Sequence, residues 1–338
     1  MGSLKTKIKQ KANWLKEIAS FHKEAFRHGR DLTPVQNNTG RIKKGDHLLF
    51  CTLKDEAHRI EFFLDYYKKM GIDHFIFVDN GSTDGFLEMV KDREDVTAFY
   101  TEASYKASNF GMHWMNYLLL RYGIGHWCLT CDPDEFLVYP YCDTRDLKDL
   151  TAFLDSIEER AFFAVMVDMY GKGAVEETYY TPGTDPLEVC PYFDGYGYSK
   201  KFDPWYKNHF VQGGVRRREF YKKDPQNAPA LNKVPLIKWA PHYAYVSSMH
   251  MAIPRKLNRS LAPHKTSGAI LHFKFIAQLK QKVEEEMVRK QHFNNSAEYK
   301  KYLEAIKKRT HLYDPSVSRR YEGWKSLMEY GLIHKGEW

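Results

Sequence analysis

Asp132, Asp134 and Glu135 stand together where the apolar run "CLTC" ends, within "CLTCDPDEFLVYP" at 128–140. Two carboxylates two residues apart in an extended turn can approach one hard divalent cation, which takes oxygen ligands. The plainer reading is a tight turn capped by its own carboxylates. Two other polar clusters follow apolar runs in the same manner: "KDE" at 54–56 after "HLLFCTL", and "NGSTDG" at 80–85 after "HFIFVD". Open parallel sheets bind ligands at the carboxyl ends of their strands. Three clusters at three such ends therefore weigh more than any one of them. Asp79, which closes the second run, is placed to accept hydrogen bonds from a nucleoside base or ribose.

The elements that must position these residues alternate. Strands are expected at "HLLFCTL", "HFIFVD", "VTAFYTE", "HWCLTCD" and "FFAVMVDMY". Helices are expected between them: "EAHRIEFFLDYYKKMG", with Ile60, Phe63, Leu64 and Tyr67 on one face, then "NFGMHWMNYLLLRYG", then a third near 144–160. Alternation of this kind predicts βαβ units and an α/β sandwich. Residues 170–232 break the rhythm with many Tyr, Phe, Gly and Pro residues, among them Tyr179, Tyr180, Tyr192, Phe193, Tyr196, Tyr198, Trp205 and Tyr206. A connection this long in a compact domain is usually functional. Short strands are expected near 234–239 and 269–273, and a charged helical region over 274–338. Residues 1–45 read as a basic extension and linker. Within it, Trp14, Ile18, Phe21 and Ala25 form a helical stripe, surrounded between residues 5 and 30 by eight Lys or Arg and two Glu. Such a helix lies on an anionic membrane or packs its stripe on the main domain, and both readings stand open.

A formal net charge of +8 suits an anionic partner such as a nucleotide phosphate or lipid headgroup. Acids at three strand ends would repel nucleic acid, which is excluded as a partner. Five cysteines form no disulfide framework. Cys128 and Cys131 have C-x-x-C spacing but sit in a strand pattern without a second pair, so neither zinc nor redox use is expected. With no signal-peptide pattern and no apolar run near the roughly 20 residues of a membrane span, the expectation is a cytoplasmic protein, or one peripheral at the inner face of the membrane.

"VDNGSTDG" followed some fifty residues later by "DPDEF" resembles the GT-A fold nucleotide-sugar glycosyltransferases, in particular a family-2-like bacterial group. "GGVRRREF" at 213–220, "KVPLIKW" at 233–239 and "LHFKF" at 271–275 extend the likeness over residues 47 to about 275. The resemblance implies a GT-A (Rossmann-like), mostly parallel sheet with flanking helices, carrying helical extensions at both ends. It implies a domain over 46–273, with 170–232 as an aromatic loop on the acceptor side. It implies that Glu56 and Asp79 face the nucleotide, and that Asp132 and Asp134 hold a cation on the donor diphosphate. His272 would be the late metal ligand, and an imidazole in that set favours Mn²⁺ over Mg²⁺. The reaction implied is transfer of a sugar from a nucleoside diphosphate to a saccharide or lipid-linked acceptor, as in polysaccharide or lipopolysaccharide assembly, with inversion.

One departure stands out. Where the family carries an acidic pair containing the catalytic base, this chain has "NKVPL" with Lys233. Asp168 and Glu219 are the substitute base candidates. Lys233, Arg216 and Arg218 are expected to meet the leaving diphosphate or an acidic acceptor. Two rivals are a nucleotidyltransferase, which would want a glycine-rich loop after the first strand, and a carbohydrate- or nucleotide-binding protein without catalysis.

Overall fold

The computed structural model describes residues 4–204, 207–258, 264–289, 291 and 293–338. Trp205 and Tyr206, expected in the aromatic segment, lie outside the described residues. The strands are β1 (Thr33–Gln36), β2 (His47–Leu53), β3 (His74–Asp79), β4 (Val96–Tyr100), β5 (Trp127–Thr130), β6 (Glu135–Val138) and β7 (Ala161–Tyr170). After them come β8 (Tyr192–Asp194), β9 (Ser199–Asp203), β10 (Asn208–Gln212), β11 (Asn232–Lys238), β12 (Ala244–Tyr245), β13 (Ala252–Ile253), β14 (Gly268–Phe275) and β15 (Ser318–Arg320). The helices are α1 (Leu4–His28), α2 (Ala57–Lys69), α3 (Phe86–Val90), α4 (Met112–Leu118), α5 (Leu147–Ser156), α6 (Leu279–Arg289), α7 (Phe293–Lys307) and α8 (Trp324–Glu329).

The main sheet runs β1-β4-β3-β2-β5-β11-β7-β14-β6. From β4 to β14 every strand points the same way except β11, which is antiparallel to both β5 and β7. This is the α/β, mostly parallel sheet expected of a GT-A fold. Its strands are apolar on both faces because both faces are covered. Along β2, Leu49 and Cys51 pack towards α2, with Phe75 and Phe77 of β3 beside them. Leu48, Phe50, Ile76 and Val78 point the other way, onto Trp114 and Met115 of α4. Pro235, which has no N–H to give a ladder, sits where β11 shifts register against β7, between Lys233 and Leu236.

The extensions are more integrated than expected. Within the anticipated N-terminal linker, β1 pairs antiparallel with β4 as the edge strand. The α1 stripe lies on the domain: Ile18 is buried against Ala244 and Ile253, with Trp14 and Phe21 packed beside it. Of the two readings of that helix, the structure takes packing. At the other end, α6 and α7 dock through Leu279, Val283, Tyr299 and Tyr302 on Tyr170, Val215 and Phe275. β15 pairs with β8, and Trp324 and Leu327 of α8 enter the main core, so the C-terminal region is only partly a helical appendage.

Candidate active site

Because β3, β2 and β5 are adjacent and parallel, their three polar termini meet at one edge. The loops are tied together by hydrogen bonds. Asn80 N donates to Leu53 O at 2.9 Å, Asp55 N to Ser82 Oγ at 2.9 Å, Thr83 N to Asp55 Oδ1 at 2.7 Å, and Ala57 N to Asp84 Oδ2 at 2.6 Å. Asp84 thus caps the start of α2, where free N–H groups need acceptors. Asp55 is held in the left-handed region at φ 52°, a strain that such termini tolerate where the surroundings enforce it. Above this edge opens a cleft of about 250 Å³, roofed by α6. Thr52, Asp55, Glu56, Asn80, Asp132, Asp134 and His272 line it, together with the cations Lys54, Arg59, Lys274, Lys282 and Arg289 and the rings of Tyr105 and Tyr299.

The turn at 132–135 is the tight, carboxylate-capped turn of the plainer reading, and it presents Asp132 and Asp134 to the cleft. Glu135 N donates to Asp132 O at 3.1 Å, and Asp132 N donates to Glu135 Oε2 at 3.3 Å. Glu135 then begins β6 and is buried, ion-paired with the equally buried Lys233. Lys233 Nζ also lies 4.0 Å from Asp132, whose side chain is 48% exposed to the cleft. Loss of solvent and the neighbouring Glu135 raise the Asp132 carboxyl above its ordinary range, against the pull of Lys233. Asp134 is held in place by its own backbone, since Asp134 O accepts from Phe273 N at 2.8 Å. Its Oδ2 lies 3.4 Å from His272 Nε2. Burial alone would raise the Asp134 carboxyl, but His272 beside it holds it well below the usual range.

Sheet register explains what stands behind this pair. His272 of β14 is opposite Asp168 of β7 on one side and Glu135 of β6 on the other. His272 Nδ1 donates to Asp168 Oδ1 at 2.6 Å, leaving Nε2 facing Asp134 and the cleft. The other Asp168 oxygen accepts from Arg216 Nε at 2.8 Å. Burial opposes ionisation of Asp168, yet Arg216 and His272 bring its carboxyl down to about 2. A carboxylate backing a histidine fixes which nitrogen faces a metal. Asp134 and His272 stand side by side at the cleft as an oxygen and a nitrogen donor, but as placed they do not form with Asp132 a trio of donor atoms within 4.8 Å of one another.

The expected residues thus divide. Glu56, Asp132, Asp134 and His272 line the cleft. Asp79 lies just beneath it, fully buried; its Oδ1 accepts from Ser82 N at 2.8 Å, and its Oδ2 is buried without a hydrogen-bond partner. Asp168, Arg216, Arg218, Glu219 and Lys233 do not line it. Asp168 has both oxygens hydrogen-bonded, 1% of its side chain exposed and no place in the cleft lining, so an acceptor hydroxyl in the cleft does not come within the roughly 3 Å a general base needs. Arg218 is locked to Asp194 at 2.9 and 3.0 Å and to Glu219 at 2.5 Å. Arg216 is buried on Asp168, and Lys233 on Glu135. No described residue of 170–232 lines the cleft; the aromatic segment instead builds β8, the β9–β10 pair and packing contacts such as Phe193 in the core.

Arg59, Lys282, Lys274 and Tyr299 were missed. Arg59 Nε donates to Glu56 at 3.0 Å, and Lys282 is also ion-paired with Glu56. Lys274 lies over the rings of Tyr299 and Tyr302, 5.2 Å from each centroid. The signal for Lys274 was available: it follows His272 by two residues on one strand, and so shares its face. For α6 there was none, because its distance from 56 in sequence gives no hint of contact. The cysteines are all free.

No protein-family model matches this chain, and no curated protein matches it. Among solved structures, one match is the mannosyltransferase PcManGT from Pyrobaculum calidifontis in complex with GDP-Man and Mn²⁺. It is 18% identical, covers 47% of this chain and 46% of its own, and superposes with a TM-score of 0.28. This chain therefore spans less than half of that protein, and a likeness at that level carries no functional conclusion.

Proposed function

We propose that this protein is a metal-dependent glycosyltransferase that moves a sugar from a nucleoside diphosphate to a hydroxyl of a saccharide or glycolipid. The observation that carries the reading is the pairing of Asp134 with His272 in a cleft that also gathers Lys54, Arg59, Lys274, Lys282 and Arg289 among the acids Asp55, Glu56 and Glu285. That is the charge pattern a metal-bound diphosphate would need. Asp134, His272 and Asp132 would hold the divalent cation, with Mn²⁺ favoured over Mg²⁺ by the imidazole. When bound, that cation neutralises charge on the leaving diphosphate.

The chain's own residues do the rest. Arg59, Lys274 and Lys282 face the phosphates and stabilise the negative charge that grows as the glycosidic bond breaks. Glu56 holds Arg59 and Lys282 in place, and Asp79, buried beneath the cleft, holds through Ser82 N the turn that would receive the nucleoside. Asp168 orients His272. Single displacement with inversion is the proposed course. The α1 stripe is occupied by the domain, so we propose that attachment to an anionic membrane runs through exposed cations of that helix and its end, among them Lys16, Lys23, Arg27 and Arg30. A nucleotidyltransferase lacks its glycine-rich loop here, since β2 runs into Lys54 and Asp55.

The test is a panel of nucleotide sugars incubated with the protein and Mn²⁺, scored for donor hydrolysis and for thermal stabilisation. A donor at about 100 Kd should stabilise by roughly 2.7 kcal/mol. Metal-dependent stabilisation by at least one nucleotide sugar, with sugar release, supports the reading. Stabilisation by none of them ends it.

A further inference from the structure

Away from the cleft, α1 and α4 bring three ligand-type side chains together. Glu24, His28 and His113 each offer an atom within 4.8 Å of the others, and they are the one such trio among the described residues. Glu24 and His28 are one turn apart on α1 and so share a face. His113 stands in the first turn of α4, and its ring stacks on that of His28 with centroids 5.0 Å apart and planes 16° from parallel.

Two further observations make this more than packing. His28 Nδ1 is hydrogen-bonded to Asp31 Oδ2 at 3.0 Å, so Nε2 is the nitrogen left for a ligand. A carboxylate behind a histidine is the support that metal-bound imidazoles commonly have. And His113 Nδ1 is buried with no hydrogen-bond partner, a costly condition that a cation would relieve. We infer that Glu24, His28 and His113 form a transition-metal site, with Zn²⁺ as the metal its two imidazoles and one carboxylate suit best. Bound zinc would cross-link the N-terminal helix to the sheet domain.

Tetrahedral Zn²⁺ with ligands near 2.0–2.1 Å keeps its donors about 3.3 Å apart. The trio must therefore close by rotation of side chains, all of which are partly exposed. Glu24 must leave Arg27, which it meets at 3.3 Å; with 72% of its side chain in solvent, Arg27 is free to swing aside. Asp31 and Glu24 together supply two negative charges against the metal's two positive ones. A water would complete the coordination.

The experiment uses the full chain, stripped with a chelator and then titrated with Zn²⁺ against a chromophoric competitor. One tight Zn²⁺ per chain is expected in Asp134→Ala, and up to two in the unaltered protein, because the proposed cleft donors also suit Zn²⁺. Asp134→Ala, which removes a cleft ligand only, should retain the binding at the trio. His28→Ala and His113→Ala should each weaken it more than tenfold, since loss of a ligand's supporting hydrogen bond alone costs roughly 10–100-fold; Asp31→Asn should fall within that range. Each variant is melted metal-free, and Glu24→Gln serves as a further variant should a histidine change disturb folding. Co²⁺ in the unaltered protein should give the intense visible bands of a four-coordinate site. Absence of stoichiometric Zn²⁺ in the unaltered protein, or equal Zn²⁺ affinity after the Glu24 and His28 changes, overturns the inference. So does loss of zinc in Asp134→Ala, which would put the ion in the cleft.

Discussion

Asp168→Asn separates two roles that sequence alone could not. The carboxylate is buried, accepts from Arg216 Nε at 2.8 Å and His272 Nδ1 at 2.6 Å, and is held at about 2 against an ordinary 3.8. A folded-state value depressed in this way contributes stability that is present above the unfolded value and lost as pH falls through the folded one. Here the window runs from about pH 4 down to about pH 2, and the shift corresponds to about 2 kcal/mol. Asparagine removes that charge and turns an amide N–H towards one of two donors. Arg216, whose side chain is 6% exposed, would then be a buried cation stripped of its nearest partner. Breaking a buried pair from one side costs about 3–5 kcal/mol, or roughly 6–10 °C in a chain of this size at about 2 °C per kcal/mol. His272 would also lose its anchor, so Mn²⁺ affinity should fall roughly 10–100-fold. The assays are differential scanning calorimetry at pH 7 and Mn²⁺ titration at a temperature where the variant is folded. A variant with the original melting temperature and Mn²⁺ affinity, but with turnover reduced 10²–10⁴-fold, would refute this reasoning and restore Asp168 as the general base.

Other outcomes follow from the same geometry. Asp79→Ala should weaken donor sugar and free nucleoside diphosphate by similar factors, because the lost bond to Ser82 N loosens the turn proposed to receive their shared nucleoside; unchanged affinity with reduced turnover would contradict that role. Lys282→Ala should lower diphosphate affinity by about 10–100-fold, the range of one charge-assisted hydrogen bond, and leave the bare nucleoside unaffected. Equal losses for both would show that Lys282 acts through Glu56 on the fold. Deleting residues 1–30 strips the cover from Ala244 and Ile253, so the truncated protein should melt lower and expose apolar surface to a dye. A fully stable truncation that no longer sediments with anionic vesicles would contradict the packed stripe.

How much of this was legible in the sequence depended on range. β2 and β3 occupy the stretches "HLLFCTL" and "HFIFVD" because two covered sheet faces demand continuous apolar runs. The face of α2 carrying Ile60, Phe63, Leu64 and Tyr67 is buried as its periodicity predicts. The helix at 109–123 is shorter than expected: the left-handed residues Asn109, Phe110 and Gly111 delay it until Met112, and a wider turn takes over at Leu119. β6 was missed because Glu135, which opens it, looks like part of the acidic turn. Its burial depends on Lys233, a partner 98 residues away. The same holds for the base candidates. Asp168 and Glu219 are acids near the right elements, but only register shows that Arg216, His272 and Arg218 already occupy them. Lys233, Arg216 and Arg218 looked like phosphate binders for the reason that makes them structural: each is a cation answering a buried or crowded carboxylate.

Asp134 and His272 are proposed to hold a cation which in turn holds a nucleoside diphosphate. Calorimetric titration of a nucleoside diphosphate into the protein, with and without Mn²⁺, tests it most directly, with Asp134→Ala run beside it. Asp134 is a cleft residue and not a core contact, so the variant should fold. Saturable binding that needs Mn²⁺ and disappears in Asp134→Ala is expected. Binding of equal strength in chelator, or undiminished in Asp134→Ala, would contradict it.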